Sequence, residues 1–362
     1  MTRILYFSRD YTPHDHRFLT ALAESGHEVG YLRLEDGGLG REDRPVPAGV
    51  EQLSWAGGRA PFEWAALPRL TVSLRKVVRS FRPDVIHAGP IQSAAFLVAL
   101  AGFSRKLVSV SWGYDLLMDA PRSAWLRFVT RYTLRRSAAF LGDCDTIRNL
   151  AIAYGMNPER IVTFPWGVDL AHFTPMPKAA DGAFTLLSTR GWALIYGVDV
   201  LARAFVRFAR RHPEARLVML GNGPLAADLR RIFLRGGVME QVTFPGLVRY
   251  ADLPRFYRMA DLYLSASHSD GSSISLLEAM ACGLPVLVSD IPGNREWVTP
   301  GENGWWFRDG DVQDLEARLE EARAARRRLP EMGRAARRLA ESRADWRKNF
   351  PELFEAYRWV VE

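Results

Sequence analysis

The chain alternates short apolar runs with amphipathic stretches from its first residues. "ILYF" is too short for a helix and reads as a buried strand. "HRFLTALAESG" then carries apolar residues at helical spacing, and "HEVGYL" returns to a strand pattern. The same beat runs through "PDVIHAG", "IQSAAFLVALAG", "KLVSVSW", "AAFLGD", "DTIRNLAIAYG" and "RIVTFP". It pauses at "WGVDLAHFTPMPKAADG", where prolines and small residues mark a linker. It restarts with "AFTLLST", "GVDVLARAFVRFARRHP", "ARLVMLGNG", "PLAADLRRIFLRGG", "QVTFPG", "LPRFYRMA", "DLYLSAS" and "PVLVSD". This alternation predicts an α/β protein of two Rossmann-like, doubly wound parallel sheets in series. The expected domains are residues 1–175, rejoined by the amphipathic segment 346–362, and residues 182–345.

One stretch breaks the rule that charges stay outside. In "SHSDGSSISLLEAMACGLPVLVSD" the residues Ile274 to Ala281 read as a short helix, apolar on nearly every face. A serine oxygen of Ser272 or Ser273 is expected to cap its first turn. Gly283 and Pro285 end it, and "PVLVSD" follows as a buried strand. Glu278 sits inside that helix and must find partners or bear a large desolvation cost. It is either a satisfied structural carboxylate or part of a ligand site.

Composition narrows the choice. The 362 residues, 48% of them hydrophobic, suffice for two cores. Two distant cysteines, Cys144 and Cys282, point to neither a disulfide framework nor a cysteine zinc site. "MTRILYFSRDYTP" reads as a strand and not as a signal peptide, and no run reaches a bilayer-spanning length. A cytoplasmic protein is expected. Between Arg69 and Arg148 stand 13 Lys and Arg against 5 Asp and Glu. Two helical segments there, "RLTVSLRKVVRSF" and "SAWLRFVTRYTLRRSAAF", interleave arginines with Leu, Val, Phe and Trp. Residues 69–148 are therefore either a solvated basic face or a peripheral contact with an anionic membrane surface at its inner face. No aromatic-studded basic strand pattern points to nucleic acid.

Doubly wound sheets bind ligands beyond the carboxyl ends of their strands, and a cleft between two such domains is the default site. The loops in that place hold the chain's unusual polar residues: His14, Asp15, His87, Asp115, Arg190 and Asp270.

With these loops identified, the chain resembles the GT-B retaining glycosyltransferases of the large bacterial mannosyl/glucosyltransferase type, over nearly its whole length. "DGSSISLLEAMACGLPVLVSD" matches the family's pattern of two acids spaced by seven residues, with Asp270 first and Glu278 second. "RIVTFPWGVDLAHFTP", "LGNGPLAADLR" and "VTFPGLVRYADLPRFYRMADLYLSAS" follow its other motifs in order. The resemblance implies a nucleotide-diphosphate-sugar donor, no metal or other cofactor, and transfer to a glycan, glycolipid or small-molecule acceptor. It implies that Glu278 binds the ribose, that Asp270 binds the transferred sugar, and that Arg190 clamps the diphosphate. Gly271, Ser272, Ser273 and Ile274 would offer backbone N–H groups at a helix N-terminus. Gly221, Gly223, Val248 and Tyr196 join them at the donor. His14, Asp15, Arg17, His87, Trp112 and Asp115 are the acceptor-side candidates, although "DYTPHDHR" also reads as a structured turn.

The departures fall at the site. Tyr196 stands where the family has a second phosphate-binding lysine, and Asp270 where it has Glu. Ser272-Ser273 replace Phe-Gly, "PHDHR" replaces a Gly-Gly loop, and Trp112-Gly113 replace His-Gly. An epimerase or hydrolase with the same donor site, or a non-catalytic sugar-nucleotide-binding subunit, remain the alternatives. A nicotinamide-dependent oxidoreductase would need G-x-G-x-x-G after a strand, and neither "SRDYTPHD" nor "GNGPLA" supplies it.

Overall fold

A computed structural model describes residues 1–36, 42, 44–177 and 182–362. Part of the expected linker, 178–181, lies outside the described residues. Chain contacts divide the protein into two units, Met1–Phe164 with Phe350–Glu362, and Pro165–Asn349.

The first unit is built on β1 (Arg3–Ser8), β2 (Glu28–Arg33), β3 (Val50–Gln52), β4 (Val85–Gly89), β5 (Leu107–Val110), β6 (Ala139–Gly142) and β7 (Ile161–Thr163). Their order is β3-β2-β1-β4-β5-β6-β7, all parallel. Strands β4, β5 and β6 are buried at every residue, as their unbroken apolar runs require. The order reverses between β1 and β4, where Ser8 pairs with Gly89. The helix Leu353–Val361 returns to this sheet: Leu353, Ala356 and Tyr357 are buried, and Tyr357 reaches His87 of β4. The helix foreseen over "SAWLRFVTRYTLRRSAAF" runs only from Ala124 to Leu134, because Ala139 and Phe140 pair with β5.

The second unit carries β8 (Phe184–Ser188), β9 (Ala215–Leu220), β10 (Val242–Gly246), β11 (Leu262–Ser265), β12 (Val286–Ser289) and β13 (Gly304–Phe307). The order is β10-β9-β8-β11-β12-β13, again parallel, reversing between β8 and β11. Neighbouring residues of one strand feed opposite cores. Leu186, Leu217 and Leu287 pack with Phe205 and Phe208, while Leu187, Val218 and Val288 pack with Tyr257, Met280 and Trp297. Both faces are thus covered, which is why strand patterns here run apolar without alternation.

The boundary differs from the expected one. Residues 165–175 belong to the second unit, because Val168 and Phe173 are core residues there. Val168 N–H donates to Ala344 O at 2.8 Å, and an Arg337 Nη1 donates to Phe173 O at 2.7 Å. The short helix Trp346–Asn349 also stays in the second unit, so the chain rejoins the first at Phe350 and not at 346. No helix among the described residues is long and apolar enough to cross a membrane.

Candidate active site

The strand order of the second sheet reverses between β8 and β11, so the loops leaving these two strands flank a natural crevice. One loop brings Arg190 and the other Asp270. Arg190 Nη2 lies 2.7 Å from Asp270 Oδ2, with 11% and 18% of the two side chains exposed. Arg190 Nη1 donates to Ser273 Oγ at 2.8 Å and to Ser275 Oγ at 3.0 Å. The guanidinium carbon sits 4.3 Å from the centre of the Tyr196 ring. The two loops are also tied through the backbone, His268 N–H donating to Ile195 O at 2.9 Å. Gly197 is needed for that approach: a Cβ there would lie 2.0 Å from Ala266 O.

Burial lifts the Asp270 carboxyl above the ordinary carboxylate range, with Arg190, Ser267 and Ser273 pulling it down. Burial opposes the Arg190 cation, but Asp270 and the surrounding tyrosines outweigh it and hold the guanidinium above its ordinary value. The ion pair is close yet poorly aligned for hydrogen bonding. Asp270 Oδ2 and Arg190 Nε are both buried without a hydrogen-bond partner, as are Ser188 Oγ and Ser269 Oγ nearby in sequence. Native proteins satisfy nearly all such atoms, and these four lie at the ends of β8 and β11, where they retain capacity for further hydrogen bonds.

The helix Ile274–Ala281 has the bounds expected from the sequence. Its N-cap Ser273 makes no side-chain capping bond, because the Arg190 cation offers its oxygen a stronger, charge-assisted partner. The first-turn N–H groups are therefore not taken by a serine cap. The C-terminus closes as expected, with Gly283 N–H on Met280 O and Leu284 N–H on Ala279 O. Glu278 is buried, and its Oε2 accepts from Tyr257 Oη at 2.7 Å. Tyr257 Oη also lies 3.1 Å from Thr189 Oγ1, next to Arg190 in the chain. Burial and then the Glu278 charge hold this phenol well above its ordinary range, so it stays a donor. Glu278 is thus braced on one oxygen and tied to the same loop as Arg190.

Gly221 and Gly223 fold their loop onto Trp192. Trp192 N–H donates to Asn222 O at 3.0 Å, and Leu225 N–H donates to Trp192 O at 3.0 Å. A Cβ on Gly223 would come within 2.5 Å of Trp192 O. Val248 is half-buried against the core that contains Tyr257. Ser272 Oγ accepts from Trp297 Nε1 at 3.0 Å, and the Asp270 and Gly271 carbonyls lie so close to Gly293 that no side chain fits there.

In the first unit the acceptor-side candidates separate into two groups. His14 and Trp112 pack together, ring centres 5.2 Å apart, beyond the ends of β1 and β5. Burial and then the Arg17 cation lower the His14 pKa, so it is held neutral. Asp15 and Asp115 are committed internally, and His87 is committed through its Nδ1, its Nε2 being buried without a hydrogen-bond partner. Asp15 closes a capping box with Thr12 and accepts from Tyr6 Oη at 3.0 Å. His87 stacks on Tyr6 at 4.5 Å, its Nδ1 is 2.8 Å from Tyr357 Oη, and burial pushes it down to about 3. Asp115 accepts from Ser111 Oγ, Ile91 N–H and Leu116 N–H, bracing the loops after β4 and β5.

Tyr257, Tyr263, Ser275 and Thr189 complete the site and were not anticipated. Tyr263 Oη donates to Ser275 Oγ at 2.8 Å. In sequence the tyrosines are indistinguishable from core aromatics. The only available signal is the Tyr hydroxyl itself, which needs a partner once buried.

The arrangement is a buried polar cluster at the strand-order reversal of a doubly wound parallel sheet, the usual ligand position of such sheets. Residues 13–167 match the family model described as glycosyl transferase 4-like domain, and residues 181–339 match glycosyl transferases group 1. The chain is 27% identical over 324 residues to a GDP-mannose-dependent alpha-(1-6)-phosphatidylinositol monomannoside mannosyltransferase of Mycolicibacterium smegmatis, covering 80% of each chain. It is 28% identical over 396 residues to a glycogen synthase of Mycobacterium tuberculosis, covering 95% of this chain and 91% of the other. In fold it is similar to Anabaena HepE, solved in complex with UDP-glucose, with a TM-score of 0.80, 19% identity, and 99% and 100% of the two chains covered. The two parallel sheets with their helices form a GT-B fold. The chain belongs to the group 1 glycosyltransferases.

Proposed function

We propose that the protein is a retaining, metal-independent glycosyltransferase that moves a sugar from a nucleotide-diphosphate-sugar to an acceptor hydroxyl in glycan, glycolipid or glycoconjugate assembly. The observation that carries this reading is the Arg190–Asp270 pair at the reversal of the second sheet, with buried Glu278 held nearby by Tyr257. Glu278, its Oε2 held by Tyr257, takes the ribose hydroxyls. The diphosphate lies between Arg190 and the backbone N–H groups of Gly271 to Ile274, at the N-terminus of the helix, where its dipole adds positive potential. Arg190 meets the charge that builds on the leaving diphosphate, the part a metal ion plays elsewhere. Asp270 holds hydroxyls of the transferred sugar.

Retention follows if the leaving phosphate deprotonates the acceptor from the same face of the sugar. In this reading His14, Arg17 and Trp112 touch the acceptor, whereas Asp15, His87 and Asp115 keep the surrounding loops in shape. The mannosyltransferase relative, which by its name uses GDP-mannose, supports a sugar-nucleotide donor.

A thermal-shift screen of UDP-, GDP-, ADP- and TDP-sugars identifies the donor, because binding to the folded state raises stability as RT ln(1 + [L]/Kd). NMR of the product made in EDTA then reads the anomeric configuration. An inverted product, or loss of turnover in EDTA, rejects the corresponding part of the reading.

A further inference from the structure

The helix Ala124–Leu134 of the first unit buries Val129, Thr130, Thr133 and Leu134. Its other side offers large rings to water. Trp125 is 49% exposed and Phe128 is 54% exposed. The two rings stack at 5.7 Å, and Trp125 meets exposed Trp64 at 5.6 Å. Phe128 continues to Tyr132 at 6.0 Å, over which the Arg136 guanidinium sits at 3.9 Å. A groove of about 480 Å³ runs along this face between Arg127, Phe128, Arg131, Tyr132 and Arg135.

Arg122, Arg127, Arg131, Arg135 and Arg136 are all exposed, and among the described residues none forms an ion pair with a carboxylate. The acids near the face are Glu63, exposed beside Trp64, and Asp119, which feels Arg9 and Arg122. An ordinary solvated arginine face would not also carry two stacked aromatic rings and a third against them.

We propose that this face docks on an anionic lipid bilayer. Trp125, Phe128 and Trp64 enter the boundary between headgroups and acyl chains, and the arginines engage lipid phosphates. Charge complementarity selects the occupant: four exposed arginines with no carboxylate ion pair among the described residues, Arg127, Arg131, Arg135 and Arg136, with Arg122 beside them, call for a dense, laterally continuous anion. A bilayer offers that without the fixed register a protein partner must match. The helix, lying flat, presents rings and cations on one side, as interfacial helices do. The inference is independent of the transfer reading and survives or fails without it.

Vesicle co-sedimentation of the full chain tests it. Wild-type protein should bind vesicles of phosphatidylglycerol and phosphatidylcholine, ignore pure phosphatidylcholine, and release as salt rises from about 50 to about 500 mM. Arg127→Ala with Arg131→Ala should weaken binding about 25-fold, since each surface cation is worth about five-fold in partitioning. Trp125→Ala with Phe128→Ala should weaken it by about ten-fold or more. The control pair Arg207→Ala with Arg231→Ala, exposed on the second unit, should bind as wild type. Unchanged melting temperatures show that the variants fold. Equal binding to both vesicle types, or undiminished binding by either face variant, overturns the proposal. So does a dimer that the aromatic variant converts to a monomer while no vesicle binds, because the face then belongs to a second copy.

Discussion

Arg190 and Asp270 hold each other in the free protein, Nη2 to Oδ2 at 2.7 Å, at the head of the second sheet. The same guanidinium reaches Ser273 and Ser275 and leaves its Nε unpartnered. It is therefore positioned by three side chains and retains capacity for a ligand. Arg190→Ala should lower the chemical step by about 10²–10³, the usual cost of removing one preorganised charged donor. Arg190→Lys should not restore it, because an ammonium lacks the planar fork that spans these partners. Single-turnover kinetics decide the matter: a near-normal Arg190→Ala rate assigns the diphosphate to another basic residue.

In the proposed reading Asp270 shares that cation with the incoming diphosphate, and both are negative. Asp270→Asn keeps the shape and removes the competing charge. Binding of the free nucleoside diphosphate should tighten about five-fold, roughly 1 kcal/mol of relieved repulsion at a partly screened site. Sugar transfer should nevertheless fall by about 10² or more, because the contact with the transferred sugar weakens. Calorimetry with the diphosphate and rate measurements with the complete donor separate the two. Weaker binding of the free diphosphate would place Asp270 on the phosphates instead of the sugar.

Tyr196 occupies a position where a second cation was expected to be missing from the clamp, and its ring lies under the Arg190 guanidinium. Its value is then in the ring and not the hydroxyl. Tyr196→Phe should change the chemical step by less than about three-fold, whereas Tyr196→Ala should slow it about three- to thirty-fold, the worth of a cation–π contact. Equal losses in both variants would mean that the hydroxyl itself serves the donor.

The strand and helix alternation made both sheets legible from sequence, because buried parallel strands must be apolar and their crossovers must be amphipathic helices. The helix Ile274–Ala281 was legible to the residue, since serine, glycine and proline punctuate it. Ser273 was not: its local capping role yields to a tertiary cation that sequence spacing does not place. His87 and Asp115 looked like loop residues available to a ligand. Their β4 and post-β5 positions instead face Tyr357 and the Ile91 backbone, partners 270 and 24 residues away. The boundary moved for a similar reason. Val168 and Phe173 look like linker residues until the second core claims them.

Glu278 answers to Tyr257 as well as to any donor. Glu278→Gln should weaken nucleotide binding by about 1–3 kcal/mol through loss of charge-assisted bonds. Tyr257→Phe removes a single hydrogen bond from the carboxylate and should cost about 0.5–1.5 kcal/mol, read as a higher donor KM with kcat nearly kept. Titration calorimetry on both variants checks the order. Wild-type affinity in a folded Glu278→Gln protein would end the ribose assignment.

Asp15 gives the first unit a pH-dependent stability of definite sign. Burial raises its carboxyl to about 6, against the opposing bonds from Thr12, Tyr6 and Ser8. The folded state therefore binds this proton more tightly than the unfolded chain, whose carboxyl titrates near about 4. The stabilisation is fully present below about pH 4 and is lost as pH rises through about 6. His87, pushed down to about 3, acts in the other direction, losing stability as pH falls below its ordinary value, so the wild-type profile partly cancels. Asp15→Asn isolates the carboxyl. Its amide can accept from Thr12 N–H and donate to Tyr6 Oη, which keeps the local bonds with one hydroxyl reversed. The variant should match wild type in denaturation midpoint at pH 4. By pH 7 it should be more stable by about 1–3 kcal/mol. A difference that does not change between the two pH values would show that the folded Asp15 carboxyl titrates as it does in the unfolded chain.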